Sequence, residues 1–77
     1  MIAWADVPAA QRVTVRDAAV RDLTNGITTR RRYLAEAAAL VKRDPNNLSY
    51  RRALRAAENR IAHLERSLTT ARSLSTT

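Results

Sequence analysis

Between residues 46 and 74 the apolar positions fall in two rows. One is Leu54, Ile61 and Leu68, and the other is Tyr50, Ala57, Leu64 and Ala71. The rows interleave at spacings of three and four, the repeat of a helix that turns one apolar stripe toward a partner helix. At about 1.5 Å per residue such a helix is roughly 40 Å long. A second seam, with flaws, runs through residues 9–43. Val13, Val20, Ile27, Leu34 and Val41 recur every seventh position, Leu23 and Ala37 add to them, and Arg16 and Arg30 interrupt the stripe. Asp44-Pro45-Asn46-Asn47 separates the two seams and is the clearest turn in the chain. Asp44 has a capping side chain, and Pro45 suits the first position of the helix that follows. Two long seamed helices joined by a short turn predict an all-α fold, an antiparallel helical hairpin.

Three details refine this. Asn25-Gly26 sits within the first seam. Either one helix runs through it with a weak point, or two helices meet there. Asn-Gly is a good helix stop and Thr28 or Thr29 can cap a new start, so a break or kink is the favoured expectation, with the earlier segment a third helix against the hairpin. Ala35, Ala37, Ala38 and Ala39 opposite Ala53, Ala56 and Ala57 would let the helices approach closely near the turn. Residues 1–8 form an apolar arm in which Ile2, Trp4 and Val7 precede Pro8. Trp4 either folds back to cap the chain's own core or anchors the arm in a partner, since tryptophan is common in both settings. The expected organisation is an arm over 1–8, a hairpin or three-helix unit over 9–74, and a frayed polar tail over 75–77.

Composition weakens the expected core. The hydrophobic fraction is 45%, but much of it is alanine, and the aromatics are Trp4, Tyr33 and Tyr50. Alanine favours helix yet buries little area. A chain of 77 residues without cysteine is a single small domain with no disulfide to support it, and such a core supplies about 3–5 kcal/mol. Stabilisation by self-association or by docking into a larger complex is therefore expected. No apolar run reaches the ~18 residues of a membrane span. The first residues lack a basic segment followed by a long apolar stretch, so a secretory signal is not expected, and the expected setting is the cytoplasm or a virion.

The charge is one-sided. Residues 1–29 balance Arg12, Arg16 and Arg21 against Asp6, Asp17 and Asp22, so the net charge of +7 belongs to residues 30–77. On a helical wheel Arg52, Arg55 and Arg66 fall almost opposite the apolar stripe, with Arg51 on their flank and Asn59 and His63 among them. Glu58 and Glu65 stand beside the seam, placed to bridge to Arg30, Arg31 or Arg32. Arg51 and Arg55 are like charges one turn apart, a mildly destabilising pair unless an anion offsets it. Arginine also suits bidentate contacts to phosphate and carboxylate. A functional basic face is thus favoured over a plain solvated one. The anion is either an acidic protein surface or nucleic acid. No zinc finger, RNA-recognition signature or helix-turn-helix is visible, and three aromatics cannot build a stacking platform, so any nucleic-acid binding would be non-specific. A basic amphipathic helix can also lie on anionic lipid, but alanine dilutes the apolar face and Trp4 is remote from it, which disfavours a membrane.

Catalytic chemistry is not expected. His63 is two residues from Glu65 and five from Glu58, and neither spacing aligns a metal pair on a helix. One glycine cannot build a phosphate-cradling loop, and no cysteine nucleophile exists. No cofactor is expected.

Residues 17–28, Asp-Ala-Ala-Val-Arg-Asp-Leu-Thr-Asn-Gly-Ile-Thr, resemble the first helix and its Leu-x-x-Gly ending in head-completion proteins of the phage lambda W type. Residues 48–68, from Leu-Ser-Tyr-Arg-Arg-Ala-Leu to Ile-Ala-His-Leu-Glu-Arg-Ser-Leu, resemble their second helix. About half the chain is covered. That family places a short β-hairpin between its helices, whereas residues 29–43 here are alanine-rich with helical spacing. The resemblance implies a virion protein at the head, portal or neck.

Three functions follow as expectations. The first is a non-enzymatic assembly or adaptor protein. It would dock through Ile2, Trp4 and the seam residues Val20, Ile27, Leu34, Val41, Tyr50, Leu54, Ile61, Leu64 and Leu68. Its Arg30, Arg31, Arg32, Arg51, Arg52, Arg55 and Arg66 would meet acidic protein or packaged DNA. The second is a free-standing, sequence-tolerant DNA- or RNA-binding protein, dimeric through the Leu54–Ile61–Leu68 seam. The third is a small inhibitor or regulator that caps a partner's acidic groove.

Overall fold

Two helices dominate the computed structural model, which describes residues 3–75. A 3-10 turn, Trp4–Asp6, precedes α1, Ala9–Arg43, and α2, Leu48–Arg72. The helices pack antiparallel along their length. The rod they form measures 53 × 18 × 16 Å. Its long dimension is α1 itself, since 35 residues at about 1.5 Å each give roughly 52 Å. All described residues outside the helices lie in the arm, the turn and the end of the chain, and none is in a strand.

The turn follows from its four residues. Asp44 closes α1, its N–H donating to the Leu40 carbonyl at 3.0 Å, and its own carbonyl accepts from the Asn47 N–H at 3.1 Å. Proline in the second position presets the required φ. Asn47, not Asp44, caps α2: its Oδ1 accepts from the Tyr50 N–H at 3.2 Å. Pro45 lies within the turn, so the helix begins at Leu48 and not at 46.

The two interrupted rows of α1 and the two rows of α2 face one another. Ile27 and Ala37 of α1 and Ile61 and Ala71 of α2 are the buried apolar residues. Val20, Leu23, Leu34, Val41, Tyr50, Leu54, Leu64 and Leu68 are half-buried around them. No large side chain is fully buried among the described residues, as two cylinders in contact have a seam but no interior. The arginines that interrupt the stripe are resolved locally. Arg16 sits 3.6 Å from Asp17, and Arg30 swings out over the Tyr33 ring, 5.8 Å from its centroid, a cation–π contact.

Asn25-Gly26 does not break the helix, contrary to the sequence expectation, and no third helix forms. Residues 9–43 are one helix, and Gly26 has no positive φ. Ending the helix there would strip Ile27, Leu34 and Ala37 from their pairing with α2, and that burial outweighs a glycine cost of about 1 kcal/mol. Nor do the threonines cap. The hydroxyls of Thr24, Thr28 and Thr29 donate to the carbonyls of Val20, Thr24 and Asn25, one turn back within the same helix. Gly26 faces α2, and a Cβ built on it would lie 3.8 Å from Leu64 Cδ1, an ordinary van der Waals contact. Gly26→Ala should therefore stabilise the hairpin by about 0.5–1 kcal/mol. Thermal denaturation followed by circular dichroism measures it, and a lowered midpoint would show that the helices need a glycine there.

In the alanine-rich stretch, Ala37, Ala53, Ala56 and Ala57 line one groove near the turn. Ala37 is buried and Ala57 half-buried, but Ala35, Ala38, Ala39, Ala53 and Ala56 are exposed. They face outward or flank the seam, because an alanine-rich segment presents alanine on every side.

The arm folds back on its own chain. The Trp4 Nε1–H donates to the Ser75 carbonyl at 2.9 Å, joining the two ends of the described chain. Arg12 fastens the same arm, with Nε donating to the Val7 carbonyl at 3.0 Å and Nη2 to the Ala5 carbonyl at 3.4 Å. Trp4 is half-buried, and its bond to Ser75 holds the arm to the other end of the same chain. Ser75, expected to fray, is tied by this bond. Ile2 lies outside the described residues. The arm fills part of the space left because α1 outruns α2 by ten residues.

Candidate functional site: a cationic end beside the turn

Folding the chain at residues 44–47 converts a sequence bias into a spatial one. Gly26 stands against Leu64, so residues 30 and ~60 are level across the hairpin, and residues 30–61 form the end beside the turn. That end holds Arg30, Arg31, Arg32, Lys42, Arg43, Arg51, Arg52, Arg55 and Arg60 against Glu36, Asp44 and Glu58. Nine cations against three acids leave six of the seven net charges on this end. It is roughly 20 Å long. The remainder of the rod is close to neutral.

Few of these charges are neutralised within the protein. Arg31 pairs with Glu65 at 3.4 Å across the two helices, as the placement of Glu65 suggested. With side chains 66% and 52% exposed, this pair contributes little to stability. Among the described residues no acid lies within ion-pair distance of Arg51, Arg52 or Arg55. All seven arginines singled out from the sequence, Arg30, Arg31, Arg32, Arg51, Arg52, Arg55 and Arg66, are exposed. They do not form one patch. Arg51, Arg52 and Arg55 cluster at the start of α2. Arg66 shares their side of the helix but lies eleven residues beyond Arg55, roughly 16 Å along the axis.

The apolar residues proposed for docking have a different place. Val20, Ile27, Leu34, Val41, Tyr50, Leu54, Ile61, Leu64 and Leu68 line the contact between α1 and α2. Pairing inside the hairpin accounts for their spacing, and Leu54, Leu64 and Leu68 remain half-buried within it.

Sequence reasoning passed over Leu48. It is 55% exposed, starts α2, and belongs to neither apolar row. Leu48, Arg51, Arg52 and Arg55 stand at i, i+3, i+4 and i+7, one face of a helix. An apolar residue at a polar wheel position was the signal that could have found it. Val41, Leu48 and Leu54 floor a shallow open groove, with Arg51, Arg52, Arg55 and Glu58 around it. A second groove on the opposite side is lined by Tyr33, Leu40, Ala53 and Ala56, without a comparable concentration of arginine.

His63 is exposed, and no cluster of three potential metal ligands occurs among the described residues. No helix among them is long and apolar enough to cross a membrane. The arrangement places exposed guanidinium groups next to apolar surface. Comparison with known proteins finds no match, whether to a family model, a curated protein or a solved structure. The class of protein is thus defined by its architecture alone: a basic two-helix hairpin with its charge gathered at the turn end.

Proposed function

We propose that the protein is a non-enzymatic assembly or adaptor protein that docks its cationic turn end onto an acidic protein surface or packaged DNA. The observation that carries this reading is the clustering of exposed Arg51, Arg52 and Arg55 at that end, none of them in an ion pair among the described residues. Three like charges within two helical turns cost stability in isolation and are offset by an external anion. The thin core fits a protein that gains stability when bound. The resemblance of residues 17–28 and 48–68 to small phage head-completion proteins favours a virion component, at the head, portal or neck.

A free-standing nucleic-acid binder shares the same surface and differs in the anion. Binding of the wild-type chain to poly-glutamate and to duplex DNA at rising salt tests both. The expected result is binding to at least one polyanion at about 50 mM salt that weakens steeply toward about 200 mM. Absence of binding to either at low salt would overturn the proposal.

A further inference from the structure

The groove beside the arginines contains more than charge. Leu48 sits amid Arg51, Arg52 and Arg55, and with Val41 and Leu54 it gives the cationic end an apolar floor. Its exposure, 55%, exceeds that of Val13, Val15 and Tyr33. Leu48 also belongs to neither apolar row of α2. A purely electrostatic surface gains nothing from an apolar residue at its centre.

We infer that this groove receives an acidic amphipathic helix of another protein, with apolar side chains on Val41, Leu48 and Leu54 and carboxylates against Arg51, Arg52 and Arg55. The inference rests on the reading of the cationic end as a binding surface, and narrows the partner. Three observations select this occupant. A phosphodiester backbone has no group to fill an apolar floor, and no aromatic lines the groove on which a base would stack. A second copy of the chain is a poor fit, since its own turn end is equally cationic and residues 1–29 carry no excess of acids. The groove runs from Leu48 to Glu58 with Val41 across from it, roughly 15 Å or three helical turns. A third helix lying there would complete a three-helix bundle and supply the wall that a two-helix pair lacks.

The test uses the full chain and three fluorescent probes. One is a helical peptide of about 18 residues with leucines on one face and glutamates flanking them. Another has the same composition in an order that scatters the leucines around the helix. The last is a duplex DNA of about 20 base pairs. The ordered peptide should bind the wild type at least about ten-fold more tightly than the scattered one. Leu48→Gln should weaken the ordered peptide about ten-fold and leave the scattered peptide and DNA unchanged. Its far-UV circular dichroism should match the wild type, because Leu48 is exposed at the helix start. Equal binding of the two peptides, or no effect of Leu48→Gln, would overturn the inference while leaving the cationic end a binding surface. Binding of DNA alone would also overturn it and assign the end to nucleic acid. Binding of no probe would remove the underlying reading as well.

Discussion

Ile27→Asp should abolish the fold. Ile27 is 5% exposed and, with Ile61, one of two large apolar residues in the buried set. Removing it forfeits about 1.5–3 kcal/mol of burial. Placing a carboxylate at the contact between α1 and α2 adds a desolvation cost. Against a total of about 3–5 kcal/mol for a chain of this size, the substitution consumes the margin. Far-UV circular dichroism at 25 °C should show loss of most helical signal, because isolated helices are marginal in water without a packed face. Ile27→Val should cost about 0.5–1.5 kcal/mol and remain folded. A cooperative, wild-type-like melt for Ile27→Asp would mean that something other than the seam holds the helices together.

The triple substitution Arg51→Gln, Arg52→Gln, Arg55→Gln should have the opposite profile. All three side chains are exposed, and glutamine keeps their helix propensity. Relief of the Arg51–Arg55 repulsion should add a few tenths of a kcal/mol. Polyanion binding should fall sharply. If the anion is duplex DNA, loss of three phosphate contacts lowers the log–log salt slope by about 2.7. An unchanged slope would place the contact elsewhere. The two predictions separate the molecule's two faces, the apolar seam that makes the hairpin and the basic face proposed to bind.

Much of this division was legible in the sequence. The alternation of Tyr50, Leu54, Ala57, Ile61, Leu64, Leu68 and Ala71 specified α2 and its buried face. Asp44-Pro45-Asn46-Asn47 located the turn, and together they implied the antiparallel hairpin. What misled was local chemistry judged without tertiary context. Asn25-Gly26 is a stop signal in isolation, but Ile27, Leu34 and Ala37 beyond it are held by α2, so the helix continues. Asp44 and Asn47 are both competent caps, and which one serves depends on how Pro45 places the turn. Alanine spacing could not show which alanines meet the other helix, because every face of residues 35–39 carries one. The basic face was legible as a wheel pattern. Its concentration at one end required the fold, because Arg51, Arg52 and Arg55 join Arg30, Arg31 and Arg32 only when the chain doubles back. Leu48 was legible as a leucine among arginines on the wheel, but the groove it forms with Val41 required the fold.

The central claim is that location, and not net charge, makes the turn end a binding surface. The most direct measurement compares two variants of equal charge against poly-glutamate and duplex DNA. One carries glutamine at Arg51, Arg52 and Arg55. The other carries it at Arg21, Arg66 and Arg72, which are exposed and lie away from the turn end. Each lowers the net charge from +7 by three. The account predicts that the turn-end variant loses at least about ten-fold in affinity and that the other stays within about three-fold of the wild type. Equal losses in the two variants would contradict it, and would show that the protein attracts anions through its total charge alone.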